Sequence, residues 1–204
     1  MGPGVNADSA RGRAPDDVDR LRAQEYRLIA RLMARAPDGV LLRDLAGLAG
    51  DATPIGRAHA ALAAAAREAE PQAVEREHFT LLIGVGRGEL LPYGSYYRTG
   101  FLNERPLADV RRDLKLLGVE RAEGLHDPED HIAILCDVMA ALADGSVAAH
   151  AVSERDFFAR HLAPWAGRFF TDLAGAPSAR FYRAVGDLGA TFVAIEAQAF
   201  ALDG

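Results

Sequence analysis

A chain of 204 residues with 29 acidic and 23 basic side chains, net charge -6, can bury one sizeable core and carries the wrong overall sign for wrapping a nucleic-acid backbone. Its one cysteine, Cys136, excludes an internal disulfide and a cysteine-built zinc site, and it lies among Ile132, Leu135 and Met139, where a small buried hydrophobe fits. No stretch approaches the ~20 unbroken apolar residues of a membrane span, so a reducing, cytoplasmic setting is expected.

Residues 1–15 have two arginines, Arg11 and Arg13, but no apolar run behind them, and read as a disordered leader rather than a secretion signal. From Asp16 to Ala36 the apolar positions Val18, Leu21, Tyr26, Ile29, Leu32 and Met33 recur every three to five residues, which predicts an amphipathic helix stopped by "PDG" at 37–39. A short second helix covers 41–48. Thr53 followed by Pro54 is a cap and a first-turn proline, and opens an alanine-rich helix over 54–69 that ends at Glu70-Pro71. Residues 72–83 read as a further helix, and 106–117 as another between Pro106 and Gly118. The same proline punctuation recurs at Pro128, Pro164 and Pro177.

No run alternates apolar and polar residues between hairpin turns, so the reading is all-α: a single-domain helical bundle of roughly eight to ten helices over 16–204. In the last third, Phe157, Phe158, Leu162, Trp165, Phe169 and Phe170 are spaced by one, three or four residues, as on a core face. The long irregular passage is 84–105, "GVGRGELLPYGSYYRTGFLNER", and loops of that length in compact domains are often functional.

Three stretches carry chemistry. The glycines of "GVGRGE" resemble a phosphate loop but lack a preceding strand and the Gly-Lys-Ser/Thr ending, so a flexible turn is the better reading. In "PYGSYY", a helical turn opened by Pro92 would put Tyr93 and Tyr97 on one face, with Tyr96 pointing elsewhere and Ser95 between. In "HDPEDH", Asp127 reads as the N-cap of a helix, Pro128 as its first turn, and Glu129 and Asp130 as charges favoured by the helix dipole. His131 is left over, one turn beyond that cap. One histidine and one aspartate make a poor metal site, and general acid/base work lacks a nucleophile or cofactor loop, so neither a metal nor a cofactor is expected.

The stretch "FTLLIGVGRGELLPYGSYY" (79–97), "DPEDH" (127–131) and "FFARHLAPWAGRFFTDL" (157–173), in that order, resembles the TorD/DmsD/NarJ family of molybdoenzyme maturation chaperones. The middle piece is similar to the family's E-P-x-D-H signature, with Asp127 where glutamate is usual. Gly94 stands where many members carry a glutamate.

The resemblance implies an all-helical, non-enzymatic cytoplasmic chaperone, monomer or homodimer. Its partner would be the twin-arginine signal peptide or the apo form of a molybdopterin-containing catalytic subunit, held until cofactor insertion and before export. The binding set it implies is Tyr93, Ser95, Tyr96, Tyr97, Asp127, Glu129, Asp130 and His131, the carboxylates facing the paired arginines and the tyrosines, with Leu91, walling the apolar segment. The "GRGELLPYGSYY" form is similar to members associated with formate dehydrogenases. The alternative of a different class is a small nucleotide-binding or nucleotide-hydrolysing switch, which the missing phosphate loop argues against.

Overall fold

The computed structural model describes residues 15–121, 127–149 and 151–202, so the leader expected at the N-terminus lies outside the described residues except for Pro15. The helix starts follow the local signals. α1 (Asp17–Ala34) opens on a capping box in which Asp16 and Asp19 each accept the other's backbone N–H, and α2 (Gly39–Ala46) opens on Asp38. α3 (Pro54–Glu68) is capped by Thr53 with proline in its first turn.

The helix expected over 72–83 is two pieces: α4 (Pro71–His78) and a single π turn over Phe79–Ile83, ended by Gly84 at φ 65°. Inside the passage expected to be irregular, α5 (Gly94–Thr99) forms, closed by Gly100 in the left-handed region. α6 (Arg105–Leu116), α7 (Ile132–Ala143), α8 (Glu154–His161), α9 (Ala166–Gly175) and α10 (Phe181–Leu202) complete the chain. Among the described residues there is no strand, and the all-α expectation holds.

α1 packs along α7, and α10 packs on α9 and α3 with lesser contacts to α4 and α1. The aromatic series predicted from spacing is buried as a set: Phe157, Phe158, Leu162, Trp165, Phe169 and Phe170 all lie in one hydrophobic core. Among the described residues, α10 alone is long and apolar enough to cross a membrane by length and composition, which the residue-by-residue reading missed because Arg183, Asp187 and Glu196 interrupt it. Here its apolar side chains Phe181, Tyr182, Val185, Leu188 and Phe192 are buried in the protein.

Two carboxylates hold α10 in place. Glu77 of α4 accepts from the backbone N–H groups of Arg180 and Tyr182 (2.7 Å each) and of Phe181 (3.1 Å), satisfying donors that a helix start leaves unpaired. Further along, Glu196 is buried and takes a bidentate pair from Arg22 (2.7 and 2.5 Å) and the Tyr26 hydroxyl (2.8 Å), with Glu154 on the same guanidinium at 2.5 Å.

α9 reaches α10 at Gly186 and Gly189, the latter lying against the Phe170 ring. A Cβ on Gly186 would lie 2.5 Å from Ala174 N and 2.7 Å from Phe170 O, both backbone atoms that cannot swing aside. In an ordinary helix interior, glycine to alanine stabilises by up to about 1 kcal/mol, whereas overpacking a core costs about 1 to 3 kcal/mol. Gly186→Ala is therefore expected to lower the urea midpoint despite the gain in helix propensity. A midpoint at or above wild type would show that α9 and α10 can separate freely.

Candidate functional site

Residues 92–94 lie antiparallel to residues 130–132, joined by an isolated bridge between Tyr93 and His131. Gly94 N donates to Asp130 O and Ile132 N donates to Pro92 O, each at 2.9 Å. The Asp130 carboxylate completes the seam, its Oδ2 accepting from Ser95 N at 2.6 Å. Asp130 is 1% exposed and Ser95 is fully buried. A carboxylate at the first turn of a helix meets unpaired N–H donors and the positive end of the dipole, so Asp130 fixes where α5 begins. Asp130 Oδ1 and Ser95 Oγ are buried with no hydrogen bond among the described residues, a cost that the seam's other bonds must offset.

The capping roles expected from the sequence are therefore redistributed. Residues 127–130 form a turn, α7 starts only at Ile132, and its N-cap is His131, whose Nδ1 accepts from Ala133 N at 3.1 Å. Asp127 is not that cap, and Asp130 serves α5 rather than the helix that follows it. Burial pushes the His131 ring down to about 4 against the pull of Asp127 and Asp130, so it is neutral at pH 7. With Nδ1 accepting, the neutral ring carries its proton on Nε2.

The three tyrosines part company. Tyr93 precedes α5 as its N-cap, meets the His131 ring edge-on with centroids 5.1 Å apart, and donates from its hydroxyl to Asp127 Oδ1 at 2.8 Å. Burial and the Asp127 carboxylate push the Tyr93 phenol up. Tyr97 leans the other way, onto Trp165 and Phe169 at 5.5 and 5.6 Å, and donates to Asp172 Oδ2 at 3.1 Å. Tyr96 accepts a bond from Arg87, whose guanidinium also covers its ring. Tyr93 and Tyr97 do not share a face, because the helix starts one residue after Tyr93.

Of the candidate carboxylates, Asp127 is exposed, Asp130 is buried, and Glu129 lies under Arg111 at 2.8 Å and Arg121 at 3.8 Å. The eight candidate residues thus form a buried seam of Ser95, Asp130 and His131 with two outlooks: Tyr93, Asp127 and Glu129 on one side, Tyr96 and Tyr97 on the other. Gly94 fits this seam for lack of a side chain, since a Cβ would lie 3.0 Å from the Trp165 indole nitrogen. That nitrogen donates to His161 O at 2.6 Å and is not free to move.

The glycine loop is a turn. Gly84 folds back on the Arg87 carbonyl and Gly88 on the backbone of residues 81–83, so both glycines are used up by close approach within the loop itself. The loop follows the π turn rather than a strand.

The nitrate reductase delta subunit family model matches residues 48–171, more than half of the chain and the whole of the seam. The chain belongs to that family. The resemblance drawn from the three motifs is thereby borne out. A protein named chaperone protein TorD from Vibrio cholerae serotype O1 is 30% identical over 122 residues, covering 55% of this chain and 56% of the relative. Another of that name, from Aliivibrio fischeri, is 27% identical over 124 residues, covering 56% of this chain and 58% of the relative. The chain spans little more than half the length of these curated relatives. Within the family match, the contacts that the sequence pattern did not show are Arg87 on Tyr96, Arg111 and Arg121 on Glu129, and Trp165 over Gly94; Asp172 on Tyr97 lies just past its edge. Arg87, Trp165 and Asp172 lie inside the three motifs, but nothing local marks these partners; Arg111 and Arg121 lie outside them.

Two measurements check the seam. Asp130→Ala leaves Ser95 N buried without its acceptor and is expected to cost about 1 to 3 kcal/mol in urea unfolding, with a smaller loss for Asp130→Asn, which keeps an acceptor oxygen. Equal stability of all three proteins would place Ser95 N in contact with another acceptor. For His131, the folded ring resists protonation down to about 4 while the unfolded ring takes a proton near its ordinary 6.5. The unfolded state then binds more protons between those values, so stability present above pH 6.5 is lost as pH falls through that window, by on the order of 2 to 3 kcal/mol. His131→Asn, which retains a good N-cap, is expected to flatten the urea midpoint between pH 4 and 6.5. A curve parallel to wild type would assign the acid sensitivity elsewhere.

Proposed function

We propose that this protein is a cytoplasmic, non-enzymatic maturation chaperone that binds the twin-arginine signal peptide, or the apo form, of a molybdopterin-containing catalytic subunit. The family membership and the chaperone names of the relatives support the class. The observation that carries the reading is the Tyr93–Asp127 pair. Two motifs more than thirty residues apart are locked side by side, and the lock leaves one carboxylate exposed on an aromatic ring. Asp127 Oδ1 is held by Tyr93, and Oδ2 makes no hydrogen bond among the described residues. A guanidinium arriving there finds a charge-assisted acceptor fixed in place before binding, beside a half-buried ring face.

This assigns the arginine contact to Asp127 and gives Asp130 and His131 the task of positioning it. A nucleotide switch is not favoured, because the glycine loop spends its close approaches on its own backbone. The similarity of "GRGELLPYGSYY" to members associated with formate dehydrogenases makes a formate dehydrogenase catalytic subunit the first client to look for in a pull-down from the native cell.

The test is calorimetric titration with a synthetic twin-arginine signal peptide. Wild type is expected to bind, and Asp127→Asn to bind about ten- to a hundredfold more weakly, the loss of one charge-assisted bond, with an unchanged melting temperature. Equal affinity would take Asp127 out of the contact. No binding by wild type would end the signal-peptide reading.

A further inference from the structure

α7 is apolar nearly all round, and its two sides have different surroundings. It packs along α1, with Leu135, Met139 and Leu142 buried. On the other side Ile134, Val138 and Ala141 recur at i, i+4 and i+7. With Leu114 and Val119 they line a groove of about 480 Å³ beside the C-terminal end of α6, its floor the buried Leu114 and Val138 and its walls the half-buried Ile134, Ala141 and Val119. That stripe and spacing are those of a surface made to receive the apolar face of a helix.

One charge interrupts the stripe. Asp137 opens onto the groove and makes no hydrogen bond or ion pair among the described residues. Its neighbour in the groove, Glu129, is already held by Arg111 and Arg121. Apolar surroundings push the Asp137 carboxyl above its usual range against the attraction of Arg27, which makes no hydrogen bond to it. A carboxylate with no bonded cation in an apolar wall gains from a cation delivered with the covering surface, and pairing out of water is worth more than the same pair on an open surface. A second copy of this chain is a poorer candidate to cover it, since each copy carries a net charge of -6.

We infer that the groove between α6 and α7 is a second docking surface of the chaperone, taking an apolar helical segment of the client that carries one arginine or lysine, with Asp137 as the partner of that cation. This rests on the chaperone reading but not on Asp127. The paired arginines belong to the Tyr93–Asp127 edge, and the groove reads a lone cation set among apolar residues.

The probe is a synthetic leucine- and alanine-rich helical peptide of about twenty residues with a single central arginine and no arginine pair, beside its glutamine analogue, titrated into the full chain. Wild type is expected to prefer the arginine peptide by about tenfold or more, and Asp137→Asn to abolish that preference while leaving the glutamine peptide's affinity unchanged. Ala141→Trp, which fills the groove, is expected to weaken both peptides at least tenfold, with circular dichroism confirming that it folds. Asp127→Asn is expected to change neither. A preference that survives Asp137→Asn, binding that survives Ala141→Trp, or no binding of either peptide overturns the inference. So does a dimer in sedimentation equilibrium that Ala141→Trp dissociates, which would give the groove to self-association. Should these peptides bind as expected while the twin-arginine peptide does not bind at all, the signal-peptide reading fails and the groove stands. Should only the twin-arginine peptide bind, the reverse holds.

Discussion

Asp130 is a buried carboxylate that must find donors, and the donor it finds is the first turn of a helix thirty-five residues earlier in the chain. That bond, with the two backbone bonds on either side of the Tyr93–His131 bridge, fixes the start of α5 and the start of α7 together. Neither helix could shift by a residue without leaving a buried polar group unpaired, which costs more than the hydrogen bond itself is worth. Tyr93 and Asp127 inherit their positions from this lock. Their exposure is a consequence of what Ser95, Asp130 and His131 bury.

The same device is used elsewhere: acidic side chains reach across the fold to satisfy donors that their own helices do not supply. Glu77 covers the start of α10, and Glu196 anchors the far part of that helix to α1 through Arg22 and Tyr26. Asp113 of α6 is fully buried and accepts from His161 and Arg160, at 2.8 and 2.7 Å. Burial pushes the Asp113 carboxyl up, but those two partners outweigh it and hold it below the usual range. Burial lowers His161 in turn, so the pair is a carboxylate accepting from a neutral imidazole. With α10 long and apolar enough by composition to cross a membrane, the Glu77 and Glu196 ties give it a fixed register against its neighbours.

The division of labour at the site follows from desolvation. A carboxylate that is to meet an incoming guanidinium must stay exposed, whereas Asp130 is buried where it holds the start of α5, and the "DPEDH" run contains both kinds within four residues. Asp127 and Asp130 therefore cannot be equivalent although the sequence presents them as a cluster. The groove beside α6 makes the complementary point, since Asp137 lies on a helix whose pattern reads as core, and among the described residues no helix covers it.

What the sequence determined by itself is whatever depends on neighbours within one helical turn. Prolines at first-turn positions, aspartate and threonine caps and terminal glycines set most helix limits, and the three- and four-residue spacing of Phe158, Leu162, Trp165 and Phe169 set the aromatic core. The order of three motifs was enough for the family. The π turn at 79–83 was hidden because its residues satisfy the α-helical pattern equally well. Only the tertiary structure decided which helix Asp130 caps, that Tyr93 and Tyr97 turn to opposite sides, and that Gly94 lies under Trp165. Each of these depends on groups brought together across thirty to eighty residues, and the energy that selects them is the pairing of buried polar atoms and the filling of space, neither of which leaves a periodic mark on the chain.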